Sequence, residues 1–327
     1  MLESAAGDTT DWGKMATRLT TEPRQQLLRW YGGNIVERSS TQVERALALF
    51  FWCAKHSDID FLPAEMRDRI LDQATSQFGL SRDRLCQLLV RQPLEINATK
   101  QTIFIAFEGI DGAGKTRHLT MLEDDLRKGG KAVKSFSFPA YDEFFGRELG
   151  KILSGNHALG ASRLDPRSMA LWYALDRWNI LKSCNFNDYD VVLFNRFTLS
   201  SAVYQSVRAP AKERDEMSTW IFELEHGQLG LPVPNTYIVL DVSPSTSQKN
   251  VLRKGHRNYS GKKLDLYERS IDLLSAARER YLYFSSKLPN LRVVQCMKSS
   301  TKMKSMEEVH KEILDCLNAC GVLATIP

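Results

Sequence analysis

The chain lacks any apolar run approaching the roughly 18 residues that a bilayer-spanning helix requires, which argues against a membrane protein. Its opening, MLESAAGDTTDW, carries acids and lacks an early basic cluster, so it resembles neither a secretory signal nor a transit peptide. Cysteine is sparse. Cys53, Cys86, Cys184, Cys296, Cys316 and Cys320 are scattered without a C-x-x-C pair, which excludes a disulfide framework. Reduced thiols of a cytoplasmic protein are expected. Cys316 and Cys320 lie one helical turn apart without a His or Cys cluster beside them, a spacing that suits packing better than a metal site. Internal repeats and low-complexity tracts are missing. So is a long basic stripe with interleaved aromatics, which argues against an extended nucleic-acid surface.

Composition is that of a globular chain, with 43% hydrophobic and 25% charged residues. A length of 327 residues suggests two domains. The net charge is +5, and acids and bases cancel over the first hundred residues, so the excess lies beyond them. A cleft that holds several phosphates needs such an excess.

Residues 1–21 are polar and rich in small side chains, a flexible tail by composition. Residues 22–97 read as a helical domain. Thr21 caps a first helix with Pro23 near its start and Leu27, Leu28 and Trp30 on one face, ended by Gly32-Gly33. Ser40 or Thr41 opens a second, with Val43, Ala46, Leu47, Leu49, Phe50 and Phe51 inward. Pro63 opens a third, carrying Met66, Ile70, Leu71, Ala74 and Phe78 and stopped by Gly79. Ser81 caps a fourth with Leu85, Leu88 and Leu89, broken by Pro93. Asn97 to Lys100 is the expected linker. The third and fourth helices, joined by FGLS, loosely resemble a helix-turn-helix, although a small bundle for packing or partner contact suits them better.

From residue 98 to 327 the pattern becomes α/β. Apolar strand candidates are Thr102–Phe107, Ala132–Phe138, Asp190–Phe194, Thr236–Asp241 and Leu291–Cys296, with long helical stretches such as Asp165–Lys182 and Leu264–Lys287 between them. Alternation of this kind predicts a parallel sheet flanked by helices on both faces.

Residues 104–116 read FIAFEGIDGAGKT and contain Gly109, Ile110, Asp111, Gly112, Ala113, Gly114, Lys115 and Thr116 in a full G-x-x-x-x-G-K-[ST] pattern. An apolar strand precedes it and a helix-forming run with Leu119, Met121, Leu122 and Leu126 follows. Glycines let backbone N–H groups turn inward around phosphate oxygens at a helix N-terminus. Lys115 would reach the β- and γ-phosphates of ATP, and Thr116 Oγ would ligate Mg²⁺. An ordinary Gly-rich turn accounts for the glycines but not for the Lys, the Thr and both flanks together.

Further segments make the chain resemble the thymidylate kinases. FEGIDGAGKT, FPAYDEFFG, LWYALDRW and LFNRFTLSSAVYQ occur in that family's order and spacing, followed by LDVSPSTSQKNVLRKGHR, similar to its strand and lid. DLYERSIDLLSAARERYLYF resembles the helix after the lid. The resemblance covers residues 102–320 and implies a P-loop nucleoside monophosphate kinase fold and a homodimer. It implies that Asp111 accepts a hydrogen bond from the acceptor sugar's 3′-hydroxyl, with Glu108 beside it. Tyr173 and Arg177, at i and i+4 on one helix face, match the aromatic that stacks on the acceptor base and the Arg at the base edge. Arg196 matches the Arg that grips the acceptor phosphate. Ser200 and Ser201 match positions lining base and sugar, and Tyr204 matches the ring that excludes a 2′-hydroxyl.

Two residues depart from the family. Asn195 stands where the resemblance implies Asp. An amide cannot act as a base, so this argues against phosphorylation of a nucleoside 5′-hydroxyl and permits a monophosphate acceptor, already an anion. Tyr141, after Phe138-Pro139-Ala140, replaces an Arg of one branch of the family. The lid candidate runs from Lys249 to Lys263, with Arg253 the first choice for the γ-phosphate and Arg257 the alternate, joined by Lys254, Lys262 and Lys263. Lys298, Ser299 and Ser300 mark the expected adenine loop.

The leading expectation is ATP–Mg²⁺-dependent phosphorylation of a pyrimidine deoxynucleoside monophosphate, dTMP or a 5-substituted relative. A kinase of modified pyrimidine nucleotides or DNA is the second reading. A catalytically weak nucleotide-binding regulator, whose helical domain contacts a protein or DNA partner, is the third.

Overall fold

The computed structural model describes residues 47, 50–51, 62, 64–89, 102–154, 164–254, 270–299 and 302–324. Backbone contacts divide the chain into two compact units, Met1–Gln92 and Pro93–Pro327. The first two expected helices of the N-terminal unit lie outside the described residues except for Leu47, Phe50 and Phe51, which are helical and fully buried. Helix α1, Ala64–Phe78, buries Met66, Ile70, Ala74 and Phe78. These recur every four residues and form one stripe. Leu71, expected inward, is only half-buried, because one residue's rotation carries it off that stripe. Gly79, at φ 61°, ends α1 in a left-handed conformation that suits Gly. Ser81 Oγ accepts from Arg84 N at 3.3 Å and opens α2, Arg82–Leu89.

In the second unit, β1 (Ile103–Glu108), β2 (Val133–Ser137), β3 (Val191–Asn195), β4 (Thr236–Asp241) and β5 (Leu291–Gln295) form one sheet in the order β2-β3-β1-β4-β5. Every pairing is parallel. β1 is central and all six of its residues are buried, the near-continuous apolar run that a doubly covered parallel strand needs. Its side chains alternate between two cores. Ile103, Ile105 and Phe107 pack with Leu119 and Leu122 of α3 (Lys115–Lys128) and with Val309, Ile313 and Leu317 of α10 (Met306–Ala319). Phe104 stacks on Phe194 at 6.1 Å and meets Phe186 edge-on at 5.2 Å on the opposite face.

The remaining helices are α4 (Phe144–Ser154), α5 (Pro166–Leu181), α6 (Thr198–Arg208), α7 (Arg214–Phe222), α8 (Pro244–Lys254) and α9 (Ile271–Ser285). A π-helical turn, Glu223–Gln228, continues α7. Local chemistry sets the ends of several. Asp165 Oδ1 accepts from Arg167 N and Ser168 N while Pro166 fills the first helical position of α5, so the expected start at residue 165 becomes a cap. Ser305 and Glu308 form a reciprocal capping box on α10. Among the described residues no helix is long and apolar enough to cross a membrane. The segment after the expected lid, Leu264–Lys287, is described only from Ser270, which caps α9.

Candidate active site

The loop from β1 to α3 sits at the carboxyl end of the central strand, where open α/β sheets hold their ligands. Gly109 and Gly112 have φ of 125° and 75°. A Cβ on Gly109 would lie 2.6 Å from Leu240 O, and one on Gly112 would lie 2.4 Å from Ser247 O, so both positions exclude side chains twice over. The loop's carbonyls are held away from the cleft. Lys115 Nζ donates to Gly109 O at 3.0 Å and Ile110 O at 2.9 Å. From α8, Ser247 Oγ donates to Asp111 O, and Asn250 Nδ2 donates to Gly112 O at 3.0 Å. Sequence reasoning missed Ser247 and Asn250; each lies more than a hundred residues from the carbonyl it caps.

A cleft of about 790 Å³ opens beside this loop. Asp111, Gly112, Gly114, Lys115 and Thr116 of the loop line it, together with Ser137, Tyr141, Asn195, Arg196, Ser200, Ser201 and Tyr204 and with Tyr173 and Arg177 of α5. The structure therefore brings most of the expected side chains into one space. Sheet register explains part of this. Asn195, the last residue of β3, is level with Phe107 of β1 and Ser137 of β2. Asn195 Nδ2 donates to Thr116 Oγ1 at 3.1 Å and to Ser137 Oγ at 3.3 Å.

Arg196 follows at φ 65°, the only positive value among the described non-Gly residues. Such a conformation in a bulky residue is strained, and strain of this kind clusters at functional sites. Its N–H is tied to Phe107 O at 2.9 Å, which holds the strained turn against β1. The guanidinium lies 2.7 Å from Asp111 Oδ1, in a largely buried ion pair. Arg196 Nη1 donates to Ser200 Oγ at 3.1 Å, and the guanidinium sits over the Tyr204 ring at 5.4 Å. Tyr204 OH reaches Asp111 Oδ2 at 3.4 Å.

Arg177 has a different setting. It is 1% exposed, and its partner Glu225 is fully buried. Nε donates to Glu225 Oε2 at 2.7 Å, and Nη2 donates to Glu225 Oε1 at 2.5 Å and Ser201 Oγ at 2.6 Å. The Tyr173 ring lies 5.9 Å from the guanidinium, as their i, i+4 spacing requires.

Glu108, expected beside the acceptor, does not line the cleft. It is fully buried and accepts from Phe197 N at 2.8 Å, Ser200 Oγ at 2.5 Å and Tyr281 OH at 3.0 Å. Burial pushes its carboxyl up, against the lowering effect of Ser200, Arg196, Phe197 and Tyr281. In this structure Glu108 anchors the first turn of α6, whose residues Ser200, Ser201 and Tyr204 do reach the cleft.

Arg253 stands exposed on the last turn of α8, outside the cleft lining. Arg257, Lys262 and Lys263 lie outside the described residues, as does Ser300. Lys298 N and Ser299 N donate to Lys302 O, and Met297 bridges Met303, so the described ends of the expected adenine loop pair with each other.

Asp176, next to Arg177, is 1% exposed. Its Oδ2 accepts from Ala140 N at 3.0 Å, which fixes the segment before Tyr141, and Oδ1 makes no hydrogen bond to a described residue. Burial pushes this carboxyl from an ordinary 3.8 to about 7; Glu143 adds to the rise, while the Ala140 N–H and Arg177 oppose it. The folded-state value lies above the unfolded one, so the folded protein binds the proton more tightly. The associated stability is complete below about pH 4 and is lost as pH rises through about 7. Asp176→Asn keeps an oxygen for Ala140 N–H and cannot ionise. Its melting temperature is expected to fall less than the natural protein's between pH 4 and 7. Parallel melting curves for the two proteins would remove Asp176 as the cause.

The family model for thymidylate kinase matches residues 107–313. A thymidylate kinase of Mycobacterium tuberculosis is 30% identical over 174 residues, covering 52% of this chain and 80% of its own length. One from Tropheryma whipplei is 31% identical over 215 residues, covering 64% and 96%. A probable thymidylate kinase of Pyrococcus abyssi is 27% identical over 214 residues, covering 64% and 93%. The solved thymidylate kinase of Candida albicans shares the fold, with a TM-score of 0.52 at 16% identity over 67% of this chain and 92% of that one. The sequence match begins inside β1, runs through the phosphate loop and the cleft and ends on α10, and the chain therefore belongs to the thymidylate kinase family of nucleoside monophosphate kinases.

Proposed function

We propose that this kinase transfers the γ-phosphoryl group of ATP, as its Mg²⁺ complex, to the 5′-phosphate of a pyrimidine deoxynucleoside monophosphate, dTMP or a 5-substituted relative. The observation that carries the reading is the trio Asp111, Arg196 and Tyr204, which meets Lys115 and Thr116 in one cleft. In this reading Arg196 supplies an anion site and Asp111 with Tyr204 a polar site for the sugar, both beside the phosphate loop.

In this proposal the donor phosphates take the loop's N–H groups, and Lys115 turns from Gly109 O and Ile110 O to the β- and γ-phosphates. Thr116 Oγ fits a Mg²⁺ site. It is exposed at the loop's end, and no group of three or more metal-ligating His, Cys, Asp or Glu occurs among the described residues. A single hydroxyl with phosphate and water oxygens is the ligand set that Mg²⁺ accepts, and when bound the ion offsets charge on the β- and γ-oxygens. Arg196 leaves Asp111 for the acceptor phosphate, gripping it with two nitrogens. Asp111 is then released to the sugar 3′-hydroxyl, and the Tyr204 ring fills the 2′ side. Tyr173 stacks on the base while Arg177 meets its edge, with Tyr141 and Ser201 close by. An acceptor phosphate oxygen bonds to the γ-phosphorus as the β–γ bridging bond breaks, and ADP carries away that electron pair. The acceptor is already an anion, so no base is needed, and the neutral amide of Asn195 suffices. Arg253 and Arg257 act from the lid on the charge that spreads over the moving group. A homodimer, a cytoplasmic location and a protein or DNA partner for residues 22–97 belong to the same proposal, with the activity carried by residues 98–327.

The test is ADP release across all common monophosphates, 5-modified monophosphates and oligonucleotides. Preference for dTMP or a 5-substituted deoxynucleotide supports the reading, and preference for a purine or an oligonucleotide overturns it. One observation favours the regulator reading: Asn195 Nδ2 occupies the Thr116 hydroxyl. Asn195→Asp separates the two readings. A carboxylate would accept from both Thr116 and Ser137, turning a Thr116 lone pair toward the metal. Turnover is expected to be preserved or raised, with a lower Mg²⁺ requirement. A variant that gains activity where the natural protein has none would favour the regulator.

A further inference from the structure

We infer that Glu225 is a positioning residue that sets which pyrimidine base the cleft accepts, by holding Arg177 in a buried ion pair as a fixed, charge-compensated donor. This rests on the nucleotide kinase reading above. Glu225 belongs to none of the segments that carry the family resemblance, and it lies on a π-helical turn, Glu223–Gln228. Such turns break regular helical spacing and often occur at functional sites. Here the turn holds Glu225 against Arg177, which lines the cleft.

Both carboxylate oxygens are used. Oε1 accepts from Arg177 Nη2 at 2.5 Å, and Oε2 accepts from Arg177 Nε at 2.7 Å and Thr198 Oγ1 at 2.7 Å. A paired contact of this kind fixes the guanidinium plane as well as its charge. Those bonds take Nε and Nη2 of Arg177, a residue that lines the cleft, and Glu225 does not occupy its Nη1.

The contrast with Arg196 decides what each arginine reads. Asp111, the partner of Arg196, is 16% exposed and lines the cleft itself, so an arriving phosphate can take its place. Glu225 is 0% exposed and does not line the cleft, so no ligand displaces it. Arg196 can therefore give its full charge to an anion. Arg177 stays paired and presents a donor with little net charge, suited to a carbonyl oxygen on a neutral base. A 4-oxo pyrimidine meets that donor with an acceptor. A 4-amino pyrimidine meets it with a second donor, and a buried donor facing a donor is strongly disfavoured.

The test uses the full chain. Binding of dTMP and dCMP is measured by calorimetry alongside kcat/KM for each, in the natural protein and in Glu225→Gln, Thr198→Val, Arg177→Met and the Arg177→Met/Glu225→Gln pair. Glu225→Gln is expected to lower the dTMP:dCMP preference by about ten- to a hundredfold, the range of one charge-assisted hydrogen bond. It should raise the KM for dTMP and leave the KM for ATP unchanged. Thr198→Val, which loosens Glu225 without altering charge, should shift the preference the same way by less. The paired variant buries no ion, and it should match Arg177→Met in preference if Glu225 acts through Arg177. An unchanged preference in Glu225→Gln overturns the inference. If Glu225→Gln does not fold, the Thr198→Val shift decides, and an unchanged preference there overturns it as well. A paired variant that differs in preference from Arg177→Met also overturns it. Absence of turnover in the natural protein would overturn the kinase proposal alone, because the binding preference still reads the role of Glu225.

Discussion

Lys115→Ala is expected to lower phosphoryl transfer by about a thousandfold or more, the scale on which a preorganised charge at a transferring phosphate acts. The side chain is 7% exposed at the first turn of α3. Two effects follow from removing it. The carbonyls of Gly109 and Ile110 lose the donor that holds them at 3.0 and 2.9 Å. That loss costs on the order of 1 kcal/mol per bond and softens the empty loop. The positive charge that reaches the β- and γ-phosphates is also lost, and this effect is larger because it acts on charge that develops in the transition state. Melting temperature without nucleotide should therefore fall only modestly, while the stabilisation conferred by ATP should shrink sharply. Lys115→Arg should not rescue activity, since a planar guanidinium does not fit where a point charge lies between two carbonyls. The measurement is coupled ADP release at saturating substrates, with melting curves in the presence and absence of ATP. Normal turnover in Lys115→Ala would sink the phosphate-loop assignment.

What could be read in advance was local. The strand, the glycines and Lys115-Thr116 follow one another within fourteen residues, so their geometry is written in adjacent positions. The Tyr173–Arg177 pair was visible for the same reason, since i, i+4 spacing puts both on one helix face. Strand starts and ends were legible to within a residue or so, most clearly for β1 and β4, which are buried throughout and nearly all apolar. What stayed hidden depends on chain crossings. Glu225 is 48 residues from Arg177, and Ser247 is 136 from the Asp111 carbonyl that it caps. No periodicity marks a π-helical turn, and Ser and Asn on a polar helix look like surface. The setting of Glu108 was hidden as well, because its position before the loop says nothing of the Phe197 N–H, Ser200 and Tyr281 that converge on it from other elements. The strained backbone of Arg196 was hidden too: an ordinary sequence, Phe-Asn-Arg-Phe, carries no sign of a positive φ.

Arg196→Ala should raise the KM for the acceptor monophosphate by about ten- to a hundredfold or more, the equivalent of a charge-assisted contact worth about 1.5–3 kcal/mol. The KM for ATP should move far less, though not by nothing. Arg196 lies 2.7 Å from Asp111 Oδ1 inside the phosphate loop. Removing the guanidinium leaves that carboxylate unopposed beside the donor phosphates, which weakens ATP binding by repulsion. Adding Asp111→Asn to Arg196→Ala removes the repulsion, so the KM for ATP should return while that for the monophosphate stays high. Backbone strain is the remaining confounder. At φ 65°, Ala pays the left-handed penalty of about 1–2 kcal/mol that Arg also pays, whereas Gly does not. Arg196→Gly should therefore melt higher than Arg196→Ala and show the same rise in monophosphate KM. That pairing of results assigns the KM change to the lost guanidinium and the stability change to the backbone. Equal rises in KM for both substrates, persisting after Asp111→Asn, would move Arg196 to the donor side and leave the acceptor phosphate without its principal cation.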